Sequence, residues 1–101
     1  GHPKIKTPVL DRMAKRGVKL TAFYAGATVC TPSRMALMTG SYPIRLGWSK
    51  GVVGHILSTA HGLSPRAVTM AERFKSAGYQ TAMSGKWHLG DRRPFRPHRQ
   101  G

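Results

Sequence analysis

Three segments of this sequence carry the start and stop signals of a short helix, and two of them are followed directly by a strand-like pattern. In the first, Thr7 suits the N-cap and the proline after it suits the first helical turn. Gly17 can take the left-handed conformation that ends many helices. Val18 to Tyr24 then alternates apolar and more polar residues, which predicts a β-strand.

The second predicted helix begins beside the single cysteine of the chain. Thr31 is the expected cap, the next residue is again a proline, and Gly40 is the expected stop. Cys30 therefore falls immediately before a helix N-terminus, where the positive end of the helix dipole lies.

The third predicted helix starts with a capping box, because Thr69 is followed three residues later by Glu72. Gly78 ends this helix, and Tyr79 to Ser84 predicts a second strand. That strand leads into a polar and aromatic turn from Gly85 to Gly90. The apolar stripe that the helix is expected to bury consists of Met70, Ala71, Phe74 and Ala77.

The remaining segments are predicted to be loops. Ser41 to Pro65 is rich in glycine and serine and has weak periodicity, which indicates a long loop with one short helical turn. His55 and His61 lie in this loop and are interpreted as surface residues. Asp91 to Gly101 carries prolines and arginines and is predicted to be extended. The order of elements predicts an α/β fold, with a partial mixed or parallel sheet and flanking helices.

Acidic residues are too few for several kinds of site. Asp11, Glu72 and Asp91 are the only carboxylate side chains, against 17 Lys and Arg, and the net charge is +14. A glycosidase-type carboxylate pair is therefore not expected. The chain alone also cannot complete an oxygen cage for Ca²⁺ or Mg²⁺.

The chemistry indicated by the residues themselves centres on Cys30. As a single cysteine it has no disulfide partner in the chain, and no Cys/His spacing suits zinc. A thiol ahead of a helix start, with Arg34 nearby, favours a thiolate or a bound anion. A Cys-phosphatase loop is not favoured, because Pro32 removes a backbone donor from it and only three residues separate the Cys and Arg. A buried structural cysteine is the other interpretation.

Two motifs, in the right order along the chain, resemble the two signatures of the type I sulfatase family. The segment from Cys30 to Arg34, followed by a small apolar helix, Thr39-Gly40 and then Tyr42 to Arg45, is similar to the first signature. Gly85 to Gly90, which reads Gly-Lys-Trp-His-Leu-Gly, matches the second signature residue for residue. Two specific motifs at a fitting separation argue against a chance likeness.

The resemblance implies a role for each site residue. Cys30 would be oxidised to formylglycine, an aldehyde whose hydrate supplies the nucleophilic oxygen. Arg34 would orient and stabilise that hydrate. Lys86 would bind a sulfate oxygen, and His88 would hydrogen-bond the formylglycine hydroxyl or assist proton transfer. The motif for the modification would be Cys30, Thr31, Pro32, Ser33 and Arg34.

The resemblance also implies partners, a metal and a larger domain. The expected partners are a sulfate ester substrate and a formylglycine-generating maturation enzyme. The family binds Ca²⁺, sometimes Mg²⁺, and of its metal ligands only the formylglycine at position 30, derived from Cys30, has a counterpart here. We therefore expect residues 1–101 to be an incomplete N-terminal part of an alkaline-phosphatase-like sulfatase catalytic domain, inactive by itself. Periplasmic, extracellular or lysosomal-type export is an expectation from the family only.

Two other functions stay open at this point. A metal-assisted, anion-binding site of this kind would also suit phosphonate or phosphate monoesters. A non-catalytic basic module would bind polyanions with a steep salt dependence, although we interpret the arginine-rich tail as a solvated loop. We do not expect nucleic acid as a partner, and no stretch is long and apolar enough to span a membrane. The arginines of that tail are Arg92, Arg93, Arg96 and Arg99.

Overall fold

The computed structural model describes residues 2–54 and 61–101, and in these ranges the regular elements are helical. The α-helices are α1 (Pro8–Arg16), α2 (Cys30–Thr39) and α3 (Met70–Ser76). His55 lies outside the described residues, so its predicted place on a loop surface stays a prediction. The short 3₁₀ turns in the described ranges are Pro43–Leu46, Arg93–Phe95 and Pro97–Arg99.

Several helix ends follow the sequence signals. In the capping box of α3, the Thr69 hydroxyl accepts from the Glu72 N–H at 3.2 Å, and the Thr69 N–H donates to the Glu72 carboxylate at 2.7 Å. Gly40 ends α2 with a left-handed φ of 64°, and its N–H donates to the Ala36 carbonyl at 2.9 Å. The single helical turn predicted in the long loop is the 3₁₀ turn Pro43–Leu46.

The first helix ends differently from the prediction. Gly17 is extended, with φ −125° and ψ −152°, so the predicted left-handed cap is wrong. Its N–H still donates to the Met13 carbonyl at 2.9 Å, and the helix can therefore end without a left-handed residue. Thr7 is the N-cap by position, but its hydroxyl donates to the Asp11 carboxylate at 3.3 Å instead of capping the backbone.

Helix α2 also begins earlier than predicted. Its N-cap is Val29, with extended φ −120° and ψ 159°, and both Cys30 and Thr31 lie in the first helical turn. The predicted capping role of Thr31 is therefore wrong. The physical reason is that the Thr31 hydroxyl bonds to groups from two distant segments, as described below, and is not available to the helix backbone.

The two predicted strands are not formed in the described part of the chain. Neither Val18 to Tyr24 nor Tyr79 to Ser84 has regular secondary structure. Val18 and Tyr24 expose 85% and 86% of their surface. A strand needs a neighbour to accept its backbone hydrogen bonds, and the described residues place none beside either segment. Of the α/β order predicted from the pattern, only the helices form among these residues.

A small core joins α2 to the two loops that follow it. Met35, Leu63 and Leu89 are almost fully buried, and the Leu63 N–H donates to the Leu89 carbonyl at 2.8 Å. Through Leu89, this core packs the Gly85 to Gly90 turn against α2 at Met35. The partly buried side chains around it are Met38, Leu46, Trp48, Ala67 and Trp87.

The stripe predicted for α3 is not buried. Each of the seven residues described in α3 retains exposed surface, and Met70 and Phe74 are 38% and 52% exposed. An open apolar groove runs between α2 and α3 and extends to Tyr79. Leu37 and Met38 line the groove on the side of α2. The prediction of burial fails because the described residues supply nothing that covers this groove.

We expect the isolated 101-residue chain to unfold without a sharp cooperative transition. Its core is small, and large apolar residues on α1, α3 and the unpaired segments face solvent, so little apolar burial opposes the conformational entropy of the chain. Calorimetry together with near-ultraviolet circular dichroism would check this. A single sharp melting transition with equal calorimetric and van't Hoff enthalpies would contradict the prediction.

Candidate active site

Cys30 and His88 bring the two sequence motifs into direct contact. Cys30 is the first residue of α2 and is half-buried. Its Sγ lies 3.1 Å from Nδ1 of His88, which is 58 residues further along the chain. The structure thus places two of the predicted site residues within hydrogen-bonding distance of each other.

The hydrogen bond on the far side of the His88 ring determines which nitrogen carries the proton. Nε2 lies 3.0 Å from the carbonyl oxygen of Val53, and a carbonyl can only accept. Nε2 must therefore be protonated and donate. In the neutral ring, Nδ1 is then the acceptor, and the Cys30 thiol donates to it. The pair is arranged for transfer of a proton between position 30 and the imidazole.

His88 has an unusual backbone conformation for a residue with a side chain. Its φ is 55°, in the left-handed region, which non-glycine residues adopt rarely and often at functional sites. It lies between Gly85 and Gly90, whose φ values of 114° and 115° also favour glycine. The turn predicted from the second motif is therefore present in the structure, and its conformation depends on the glycines at both of its ends.

Thr31 connects this turn to α2 and to a third segment. Its hydroxyl donates to the His88 carbonyl at 3.0 Å and accepts from the Val53 N–H at 3.0 Å. Thr31 is fully buried. The sequence analysis singled out Thr31 as a helix cap and as part of the modification motif, and it missed Val53. No sequence signal could have found Val53, because it contributes its backbone and not its side chain.

Arg34 and Lys86 lie on the adjoining side of the site. Nη1 of Arg34 donates to the backbone carbonyl of Lys86, which ties α2 to the start of the second motif. Lys86 is exposed, and both residues line the apolar groove. Pro32 is buried in the first turn of α2, and the Ser33 N–H donates to the Val29 carbonyl at 3.2 Å.

The donors present in the described ranges do not fit a calcium or magnesium cage. Such cages need about six to eight oxygen ligands for Ca²⁺. No group of three or more His, Cys, Asp or Glu side chains converges within residues 2–54 and 61–101. The Glu72 carboxylate is used in the capping box, and Asp11 accepts from Thr7. Cys30 contributes a soft thiol, so the described residues supply no metal-dependent step.

The arginine-rich tail is more ordered than predicted. It forms two 3₁₀ turns, Arg93–Phe95 and Pro97–Arg99, where an extended loop was expected. The Trp87 indole N–H donates to the Phe95 carbonyl at 2.8 Å, which fixes the tail against the second motif. Its four arginines are exposed, and Nε of Arg96 donates to the Asp91 carbonyl at 2.8 Å. Polyanion binding by these arginines stays a prediction.

None of the helices in the described ranges has the length and hydropathy of a membrane span.

Comparison with known proteins confirms the likeness predicted from the two motifs. Steryl-sulfatase of Mus musculus is 54% identical over 93 residues, which cover 89% of this chain and 15% of that protein. Arylsulfatase A of Homo sapiens is 48% identical over 90 residues, which cover 89% of this chain and 17% of that protein. N-acetylgalactosamine-6-sulfatase of Sus scrofa is 39% identical over all of this chain and 20% of its own length.

The chain thus spans between 15% and 20% of the length of these curated relatives. The family model matches nearly the whole chain, from residue 1 to residue 97, and this range includes both motifs. On this match, the chain belongs to the sulfatase family.

Proposed function

We propose that this chain carries the nucleophile side of the active site of a sulfuric ester hydrolase. The observation that supports it most directly is the 3.1 Å contact between Cys30 Sγ and His88 Nδ1, which joins the two family motifs. The arylsulfatase and steryl-sulfatase names of the relatives point to the same reaction class.

In this proposal a maturation enzyme, with an oxidant that it supplies, oxidises Cβ of Cys30 to the aldehyde of formylglycine and removes the sulfur. The hydrated aldehyde then supplies the nucleophilic oxygen. The His88 ring holds or moves a proton at that position, because Nδ1 faces residue 30 while Nε2–H is held by Val53. The half-buried first turn of α2 also offers the positive end of a helix dipole to an anion bound there.

The two basic residues act on the substrate and on residue 30. Arg34 lies one turn along α2 from Cys30, and its guanidinium donates to the Lys86 carbonyl. In this proposal its charge acts on the hydrated aldehyde at position 30. Lys86 is exposed and would bind a sulfate oxygen and offset charge developing on the leaving group. Hydrolysis of a sulfate ester needs cationic groups around the sulfur in these two roles.

We further propose that residues 1–101 form an N-terminal part of the catalytic domain of a longer sulfatase and are inactive alone. The 15% to 20% share of the relatives that they cover supports this proposal. The remaining sequence would supply the Ca²⁺ or Mg²⁺ ligands that the described residues lack. It would also supply strand neighbours for Val18 to Tyr24 and Tyr79 to Ser84, completing the α/β sheet.

The test is to express the protein from its complete reading frame, with and without a formylglycine-generating enzyme. We expect the mass of the peptide containing Cys30 to change to that of formylglycine only with the enzyme, and aryl sulfate hydrolysis to appear with it. Faster turnover of an aryl phosphonate than of the aryl sulfate would favour the phosphonate alternative. Hydrolysis that does not depend on conversion of Cys30 would contradict the proposal.

A further inference from the structure

We propose that Thr31 is a positioning residue of this site, whose buried hydroxyl holds the His88 turn so that Nδ1 faces residue 30. The catalytic part of this inference rests on the proposed function, whereas its geometric part does not. Thr31 is fully buried at the start of α2, one residue after Cys30. A residue next to the nucleophile thus fixes the orientation of the nucleophile's partner.

The direction of each hydrogen bond at Thr31 is unambiguous. The Val53 N–H can only donate, so the hydroxyl oxygen accepts there, at 3.0 Å. The His88 carbonyl can only accept, so the hydroxyl hydrogen is directed to it, at 3.0 Å. A single hydroxyl therefore satisfies one buried donor and one acceptor from segments 22 and 57 residues away.

These bonds close a ring with the His88 imidazole. Val53 donates its N–H to Thr31 and accepts the His88 Nε2–H on its own carbonyl at 3.0 Å. His88 is consequently held at two places, at its backbone carbonyl by Thr31 and at its ring by Val53. With both fixed, the remaining ring nitrogen is directed to Cys30 Sγ.

The backbone of His88 is the reason that this support is needed. A φ of 55° is disfavoured for a residue with a Cβ, and such a conformation persists only when neighbouring groups hold it. The Thr31 hydroxyl bonds directly to the carbonyl of that residue. Removing the hydroxyl leaves this part-buried carbonyl and the buried Val53 N–H without their partner, so the turn is expected to shift towards other hydrogen bonds.

Substitutions at position 31 separate the hydroxyl from the shape of the side chain. Valine has nearly the shape of threonine without the hydroxyl, whereas serine keeps the hydroxyl and loses a methyl group. Thr39→Val is the matched control, because it removes a threonine hydroxyl from the other end of α2, where Thr39 donates to the Met35 carbonyl at 2.7 Å. Thr31→Ala replaces Thr31→Val if the valine variant does not fold.

The first experiment uses the unconverted thiol and does not depend on sulfatase activity. The protein is expressed from its complete reading frame without maturation enzyme, and alkylation of Cys30 by iodoacetamide is followed by peptide mass between pH 5 and 9. Because the Cys30 thiol is hydrogen-bonded to His88 Nδ1, we expect Thr31→Val to lower the rate at neutral pH about three- to tenfold and to change the pH dependence of the rate towards that of His88→Ala. Thr31→Ser and Thr39→Val should follow the unsubstituted protein.

The second experiment uses the converted enzyme, with rates divided by the measured formylglycine content. We expect Thr31→Val to lower kcat about tenfold or more with little change in KM, and Thr31→Ser to restore it. An unsubstituted enzyme without sulfate ester turnover would overturn the proposed function, while the alkylation rates would still decide the role of Thr31. The inference is overturned if Thr31→Val keeps the unsubstituted alkylation profile, or if Thr31→Ser behaves like Thr31→Val.

Discussion

Replacing Cys30 with alanine is expected to lower kcat for a sulfate ester by about 10³-fold or more in the protein expressed from its complete reading frame. Alanine cannot be converted to an aldehyde, so the covalent route through residue 30 is lost. Folding should change little, because the one side-chain hydrogen bond recorded for Cys30 in the described residues is that to His88. Steady-state turnover and a thermal melt of the same preparation would check both parts.

The double variant Cys30→Ala/His88→Ala gives a sharper test of the pair. If His88 acts only on the group at position 30, its removal should cost little once that group is gone, so the two losses in kcat should not multiply. His88→Ala alone should lower kcat by about 10² to 10⁴-fold. Losses that multiply in the double variant would show that His88 acts independently of residue 30. They would contradict the proposal that His88 acts on the group at position 30.

Replacing Gly90 with alanine is expected to destabilise the protein by roughly 2 to 5 kcal/mol, because strain and crowding act together. Gly90 has a φ of 115°, which a side chain disfavours. A Cβ there would lie 2.9 Å from Cγ of Phe95 and 3.1 Å from Cα of Gly62, and would clash directly with the Phe95 Cβ. Because the Phe95 carbonyl accepts the Trp87 indole N–H, a backbone shift that moved the Phe95 Cβ away would disturb the second motif. Denaturant unfolding of the protein from its complete reading frame would measure the loss.

Two other glycines serve as matched controls for Gly90. Gly85 has nearly the same φ, 114°, but a Cβ added there meets no atom described within 4 Å, so Gly85→Ala should show the strain alone, about 1 to 2 kcal/mol. Gly51 has open space among the described atoms and no positive φ, so Gly51→Ala should be nearly neutral. Equal losses for Gly85→Ala and Gly90→Ala would show that contact with Phe95 contributes nothing.

Local sequence signals predicted much of the helical structure. The capping box of Thr69 and Glu72, the helix stop at Gly40 and a short helical turn in the loop after Gly40 all form as predicted. Each depends on groups only a few residues apart, so the local sequence contains all the partners that are needed. The two family motifs were also recognisable without coordinates, since they are contiguous runs of residues.

Signals that depend on distant neighbours did not predict the structure. The alternation in Val18 to Tyr24 predicts a strand, and the stripe including Phe74 predicts a buried face, but neither pattern says what must lie against it. In the described residues no partner is present, so these segments stay unpaired or exposed. Thr31 was misassigned as a cap for a related reason: its hydroxyl has partners 22 and 57 residues away that outcompete the local backbone.

The sequence by itself determined the candidate site residues, because Cys30, Arg34, Lys86 and His88 lie in two contiguous motifs. Only the tertiary structure decided which of them are in contact. The contact between Cys30 and His88, the tautomer set by Val53 and the brace provided by Thr31 all join segments that are far apart in the chain. Hydrogen-bond partners of this kind are chosen by where the folded backbone places a carbonyl or an N–H group. Every residue except proline carries both groups, so residue type gives no sign of which ones will be used.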